Sequence, residues 1–458
     1  MEVKPWQWEI AYHIVMNERC NVWSTMGSGK TLATLLAIDM LMVSEDVWPI
    51  LIVAPKRVAQ HVWEQEAAKW PMTQHMKMQR ILGPEKSRLK AVQNYDARVF
   101  VINFENIPWL ANHYKERWPF RMIVVDESSR LKGHRAYNGS KRTLALQRKA
   151  WGKTRRFVNL TGTPAPNGLI DLWGQQHFVD GGLRLGNRFS SFRFRWFDGK
   201  RVGHHPQAMV WTPKKNADPE IRAILNDVTI TVDVRDYMEV GDTVENVIEV
   251  ELPPKARQAY KQMENEMFTT LEAGTSEAMS APAATSKCHQ ISNGAVYLDD
   301  GSWQKLHDAK LDALDSIIEE CAGEPILVVY HFRHDLERLR ARFPIGIDLG
   351  DDPNLVEQWN RRNVPLMFVH PQSAGHGLNL AKGGHVMAFF SLDWNLEYHQ
   401  QVIERIGAVR QTQAETGKVP HIHYIVAKDT IDESILQRLR DKRSVQEVLL
   451  EAMKRRTK

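Results

Sequence analysis

RMIVVDE, residues 121–127, joins a short apolar run to two carboxylates. Such a β-branched run, too short for a buried helix and closed by polar residues, reads as a strand buried on both faces. The same shape recurs on either side of it in PILIVAP (49–55), RVFVIN (98–103) and RFVNLTGTP (156–164). Stretches with helical periodicity, such as RVAQHVWEQEAAKW (57–70), lie between them. Strands alternating with helices imply an α/β fold with a doubly wound parallel sheet, whose ligands bind beyond the strand C-termini. PILVVYHF (325–332), LMFVHP (366–371), HVMAFF (385–390) and HIHYIVA (421–427) repeat the pattern, so a second lobe is expected.

The length of 458 residues favours two or three domains. We place the first lobe at 1–245, with a helical and aromatic extension over about 175–235, and the second at 246–458. GDTVENVIEVELPPK (241–255) alternates like a strand and breaks at Pro253–Pro254. EAGTSEAMSAPAATSK (272–287) lacks large apolar residues and reads as a loop or linker. SILQRLRDKRSVQEVLLEAMKRRTK (434–458) reads as a basic amphipathic terminal helix. The composition, 43% apolar and 25% charged, is ordinary for a globular chain. A net charge of +5 is compatible with nucleic acid without requiring it. Three scattered cysteines, no secretion signal and no apolar run near ~18 residues point to the cytoplasm, without disulfides or a membrane span.

MGSGKT (26–31) carries the chemistry of a phosphate-binding loop. Met26, Gly27, Ser28 and Gly29 present backbone N–H groups to phosphate oxygens, and Lys30 reaches the β and γ phosphates. Thr31 ligates Mg²⁺, and the helix that follows points its positive end at the nucleotide. Asp126 would hold the Mg²⁺ shell, and Glu127 would polarise the attacking water.

DESS (126–129), LTGTP (160–164) and SAGHGLNL (373–380), in that order, resemble the superfamily-two helicases, and within them the Swi/Snf-type DNA translocases. HPQSAGHGLNL (370–380) and LDWNLEYHQQ (392–401) look still closer to the compact members carried by bacteriophages and prophages. The resemblance spans almost the whole chain. It implies two tandem RecA-like doubly wound lobes with a nucleotide cleft between them, using ATP and Mg²⁺ and moving on DNA. KPWQ (4–7) matches the adenine-reading segment, with Gln7 on the base. Pro55, Lys56 and Arg57, then Asn103 and Glu105, match strand ends that follow a nucleic-acid backbone, as do Arg130, Lys132, Thr161, His331, Arg333 and Ser373. Thr161 and Thr163 would couple the γ-phosphate to DNA, and Gly375 and Gly377 would allow close approach of nucleotide or DNA phosphate. The setting implied is phage DNA replication, recombination or remodelling in the host cytoplasm, with room for an unidentified replication or nuclease partner protein. DESS and GHGLNL set the chain apart from RNA helicases.

Two basic stretches bear on DNA. Residues 128–157 hold Arg130, Lys132, Arg135, Lys141, Arg142, Arg148, Lys149, Lys153, Arg155 and Arg156. Residues 183–201 interleave Arg188, Arg193 and Arg195 with Phe189, Phe192, Phe194, Trp196 and Phe197. The first reads equally as a DNA track or a solvated face; the second reads as internal packing before base stacking. No base-reading module is evident, so sequence-independent backbone contact is expected. The histidines at 204–205 and His421 and His423 lack the partners of a metal site.

In the last motif of the resembled family, two arginines follow a glutamine at four and seven residues. In QVIERIGAVRQ (401–411), Gln401, Arg405 and Gln411 fit, and the second arginine position holds Ala408. On a continuous helix Arg410 would face elsewhere. Three readings stay open: an Arg→Ala replacement that traps ATP, a chain that works with Arg405 or Arg410, and a packed Ala408 with the finger elsewhere. The first makes an ATP-gated, non-hydrolysing DNA clamp or scaffold the alternative to a motor.

Overall fold

In the computed structural model, residues 2–135, 139–201, 209–272, 281–350, 354–374 and 378–441 are described. The chain divides into two compact units, 1–200 with 209–238, and 239–458 with 201–208.

The first unit contains β1 (Arg19–Ser24), β2 (Ile50–Ala54), β3 (Met78–Ile81), β4 (Val99–Asn103), β5 (Met122–Asp126) and β6 (Arg156–Thr161). A hairpin follows, β7 (Phe197–Arg201) and β8 (Met209–Pro213), and then β9 (Thr229–Val232). Seven strands form one parallel sheet in the order β3-β4-β2-β5-β6-β1-β9. β2, β4 and β6 are buried along their whole length, as apolar strands between helical layers must be. The region expected as an extension is partly structural core. Helix Leu172–Asp180 packs on β1 and β6, and β9 is the sheet's edge strand beside β1.

The second unit contains β10 (Val244–Val250), β11 (Ala295–Tyr297), β12 (Trp303–Lys305), β13 (Ile326–Val329), β14 (Ile347–Asp348), β15 (Leu366–Val369), β16 (Val386–Phe389) and β17 (His421–Ala427). Six of these make a second parallel sheet, β10-β17-β16-β13-β15-β14. β10 pairs along its full length with β17, and Pro254 then opens helix Pro254–Glu272, where a missing N–H costs nothing.

The linker reading of 272–287 fails in part. Residues 281–287 begin helix Ala281–Asn293; 273–280 lie outside the described residues. The helix is anchored at its far end, where Cys288 and Ile291 join the core. The terminal helix is described as Ile431–Asp441, and 442–458 lie outside the described residues. No described helix is long and apolar enough to cross a membrane.

Helix Ala281–Asn293 also brings His289 into the interior. Burial pushes its imidazole down to about 3, against the pull of Asp432 and with His331, Lys310 and Asp335 nearby. His399 is likewise pushed down to about 3 by burial, with Arg440 adding to the effect. Both rings are therefore neutral in the folded protein, while the unfolded chain takes up protons below its ordinary value near 6.5. Folding stability is complete above that value and falls as pH drops toward 3. At pH 5 each histidine should have cost about 2 kcal/mol. Urea unfolding at pH 7.5 and pH 5 should show this fall, and His289→Asn should remove about half of it.

Candidate active site

Five loops leave the C-terminal ends of neighbouring strands in the first unit, and each carries an expected site residue. The loop after β1 is the phosphate loop, closed by helix Lys30–Ser44. Gly29 is left-handed (φ +81°), and a Cβ there would collide with the Gln7 amide, so glycine is required on both counts. The Lys30 ammonium is held by the carbonyls of Ser24 at 2.8 Å and Thr25 at 3.2 Å. Thr31 is half-buried at the first turn of the helix.

Two strands away, β5 ends at Asp126. Burial pushes its carboxyl above the ordinary range, while the nearby Lys30 charge and a hydrogen bond from Trp63 pull it back. The indole Nε1 of Trp63 donates to Asp126 Oδ2 at 3.2 Å. A divalent cation would reverse the effect of burial. The Thr31 hydroxyl and the Asp126 carboxylate are the hard oxygen donors that Mg²⁺ takes, so these residues fit the metal of a nucleotide complex. Glu127 sits at φ +59°, ψ +56°, a strained conformation for a side chain of this kind. Such strain persists where surrounding structure enforces it, which is common in catalytic loops.

Thr161 ends β6 opposite Trp23 of β1, buried, with its Oγ1 accepting from the Thr163 N–H at 3.0 Å. Gly162 lies against the phosphate loop: a Cβ there would come 2.7 Å from Met26 Cγ. Lys30, Asp126 and the LTGTP turn are thus neighbours in one unit.

Gln7 is placed otherwise than a base-reading role alone would suggest. In helix Pro5–Met16 its Nε2 donates to the Ser28 carbonyl at 3.2 Å, and its Oε1 accepts from Lys4 N–H at 2.9 Å. Trp6 Nε1 donates to the same Ser28 carbonyl at 2.8 Å. Trp6 and Trp63 were not singled out from the sequence. Indoles are usually read as core, and only the polar edge of each ring reaches the site.

Beyond β2 and β4, Pro55, Lys56 and Arg57 lie beside Asn103 and Glu105. Asn103 Nδ2 donates to Glu105 Oε2 at 2.7 Å. Partial burial would raise the Glu105 carboxyl, but Asn103, Arg130 and Arg142 together hold it below the usual range. Lys132 is half-buried nearby in sequence. The basic stretch 128–157 therefore splits. Lys149 and Lys153 both pair with Glu116, and buried Arg156 pairs with Glu45 at 2.6 Å and ties down the carbonyls of Ile14, Val15 and Asn17. Arg156 is a structural residue, not part of an exposed track.

In the second unit, His331 follows β13 and Ser373 follows β15. His370, not singled out beforehand, links them. Its Nε2 donates to the His331 carbonyl at 3.1 Å, and its own carbonyl accepts from Ser373 N–H at 2.8 Å. Arg333, exposed, pairs with Glu337 one turn on. Gly375 and Gly377 lie outside the described residues.

The last motif departs from the helical reading. Helix Leu396–Ile403 stops before Arg405, and a separate helix, Ala408–Gln413, starts after Gly407 (φ −61°, ψ +167°). Ala408 is the first residue of that new helix, so no single face joins it to Gln401 and Arg405. Arg405 is buried; its Nη1 donates to the Leu378 carbonyl at 3.0 Å, and its carbonyl accepts from Leu380 N–H at 3.1 Å. Gln411 is structural, donating to the Gly384 carbonyl at 2.8 Å. Ala408 lines a pocket of about 450 Å³ whose wall includes Asp242, Gln411, Thr412 and Glu415.

A family model described as the SNF2-related domain matches residues 17–294. The chain belongs to the SNF2-related family. The p41 protein of Acyrthosiphon pisum secondary endosymbiont phage 1 is 47% identical to this SNF2-related chain over 99% of both. The mouse DNA annealing helicase and endonuclease ZRANB3 is 24% identical over 95% of the chain, which spans only 39% of that protein. Among solved structures, the Sulfolobus solfataricus SWI2/SNF2 ATPase core in complex with dsDNA aligns over 96% of the chain and 91% of its own, at 20% identity and a TM-score of 0.45. The expected resemblance to Swi/Snf-type proteins, close to phage-encoded ones, is borne out, and so are the two parallel α/β lobes.

Proposed function

We propose that this SNF2-related chain is a DNA-dependent ATPase that couples Mg-ATP hydrolysis to movement along DNA, in phage replication, recombination or remodelling. The observation that carries the reading is the cluster at the C-terminal ends of the first sheet's inner strands, where Lys30, Asp126 with its Trp63 donor, and the LTGTP turn meet around the phosphate loop. Lys30 and the loop N–H groups would bind the β and γ phosphates, and Thr31 and Asp126 would hold Mg²⁺. Glu127 would orient and polarise water. Gln7 keeps its proposed place near the adenine while bracing Ser28. DNA backbone contacts are assigned to residues 55–57, Asn103, Arg130, Lys132, Thr161, His331, Arg333 and Ser373, with Glu105 tempering the charge of Arg130. The protein would act in the host cytoplasm, where a phage replication or nuclease protein is the partner such a motor would serve.

For the arginines that sense charge on the transferred phosphoryl, we assign Arg405 and Arg410. The case against Arg410 assumed one continuous helix, which ends at Ile403. An arginine at 408 would lead into a pocket walled by Asp242 and Glu415, where a guanidinium meets carboxylates rather than phosphate.

Steady-state ATP hydrolysis with duplex DNA, with RNA and with neither tests the reading. DNA should stimulate turnover most, and Glu127→Gln should lower it by about 10²–10⁴-fold. Stronger stimulation by RNA would sink the DNA assignment. ATP-dependent DNA retention without turnover, relieved by Ala408→Arg, would support the clamp with a replaced finger instead.

A further inference from the structure

The aromatic stretch after residue 183 divides in two. Phe192, Trp196 and Phe197 are buried with Trp173 and Leu185, as the packing reading expects. Phe194, on the same helix Phe189–Trp196, is 67% exposed. Its ring meets Trp211 of β8 edge to face, with centroids 5.5 Å apart. Gly199 of β7 makes room for that indole, since a Cβ there would come 3.1 Å from the Trp211 ring.

Cations surround this pair. The Arg193 guanidinium lies over Trp211 at 4.5 Å and over Phe189 at 4.9 Å. Arg135 lies over Phe189 as well, at 3.7 Å, so two guanidinium groups share one phenyl ring. Lys214 Nζ is fixed by the carbonyls of Phe194 and Arg195, both at 3.0 Å. Residues 188–201 and 209–215 hold seven Lys and Arg against one acid, Asp198. Unlike Lys149 and Lys153, which Glu116 neutralises, Arg193, Arg195 and Lys214 form no ion pair among the described residues. Like charges gathered around an exposed ring favour an anionic partner that also offers an aromatic face.

We infer that Phe194 and Trp211, with Arg193 and Lys214, form a stacking platform for an unpaired base of single-stranded DNA, separate from the strand-end contacts. This rests on the reading of the chain as a DNA-dependent motor. Phosphates satisfy the cations and a base satisfies the ring, and base faces are available only where a strand is unpaired. Duplex DNA, with its bases stacked inside, offers the cations a partner but not the ring.

Phe194→Ala tests this, because a ring so exposed can be removed without opening the core. By fluorescence anisotropy at fixed salt, binding of a labelled oligothymidylate should weaken about 5- to 100-fold. Affinity for a blunt duplex and duplex-stimulated ATP hydrolysis should be unchanged, and Phe194→Trp should restore oligothymidylate binding. Unchanged oligothymidylate binding in Phe194→Ala, or equal losses on single strand and duplex, would overturn the platform. If the unaltered protein binds neither DNA, the motor reading itself fails, a result distinct from either of those.

Discussion

Arg410→Ala is expected to lower DNA-stimulated ATP turnover by about 10³–10⁵-fold, while Ala408→Arg changes it little. The size follows from the chemistry. Charge on the transferred phosphoryl is balanced largely by positioned cations, in a setting where water screens them poorly. The location follows from the break at Gly407, which starts a new helix and removes the geometric objection to Arg410. Arg410 is half-buried on the first turns of that helix. Single-turnover hydrolysis with saturating ATP and DNA separates a chemical defect from weak binding. A gain of comparable size from Ala408→Arg would return the finger to position 408 and mark the alanine as a replacement.

The second large effect concerns stability. Lys310 and Asp432 are both fully buried, with Nζ 2.5 Å from Oδ2. Lys310 also donates to Asn293 Oδ1 at 2.6 Å, and Asp432 accepts from Ser292 Oγ at 2.8 Å and Ala427 N–H at 3.0 Å. Lys310→Met should cost about 3–5 kcal/mol, because it strands a buried carboxylate among partners arranged for its charge. Lys305→Met is the natural control. Its pair with Asp308 is also 2.5 Å long but lies at the surface, so its loss should cost under about 1 kcal/mol. Urea unfolding of the two variants at neutral pH compares burial at constant distance; equal losses would show that the buried pair is not the strong point. Burial alone would raise the Asp432 carboxyl, but the Lys310 charge, with the hydrogen bonds from Lys310 and the Ala427 N–H, holds it below its ordinary value. Its contribution is therefore complete above the unfolded carboxylate range and is lost as pH falls through the lower folded value.

Strands β2, β4, β5 and β6, and β13, β15, β16 and β17, could be read from the chain because each is a short apolar run closed by polar or turn residues, as in the step from Val125 to Asp126; β1, β3, β9 and β14 carry no such signal. The phosphate loop could be read because its glycines and lysine are contiguous. What escaped depends on distant partners or on one local exception. Lys310 looks like any solvated lysine until the fold brings Asp432 to it. Trp63 looks like core until its N–H is found on Asp126. Residues 281–287 look like a linker because small residues carry no periodicity, yet the apolar residues just beyond hold them in a helix. The spacing of Gln401, Arg405 and Ala408 is helical, and a lone glycine at 407 is weak evidence against a helix. There a Cβ would press to 3.1 Å from the Ile403 carbonyl and 3.3 Å from the Glu404 Cα, a local crowding that spacing alone does not reveal.

Trp6 and Gln7 both fasten the Ser28 carbonyl from a helix that precedes residue 17, where the family match begins. Trimming the protein to the matched span would therefore strip the brace from the phosphate loop while leaving every residue of that loop in place. The loop's shape is kept by a segment that lies ahead of the matched span.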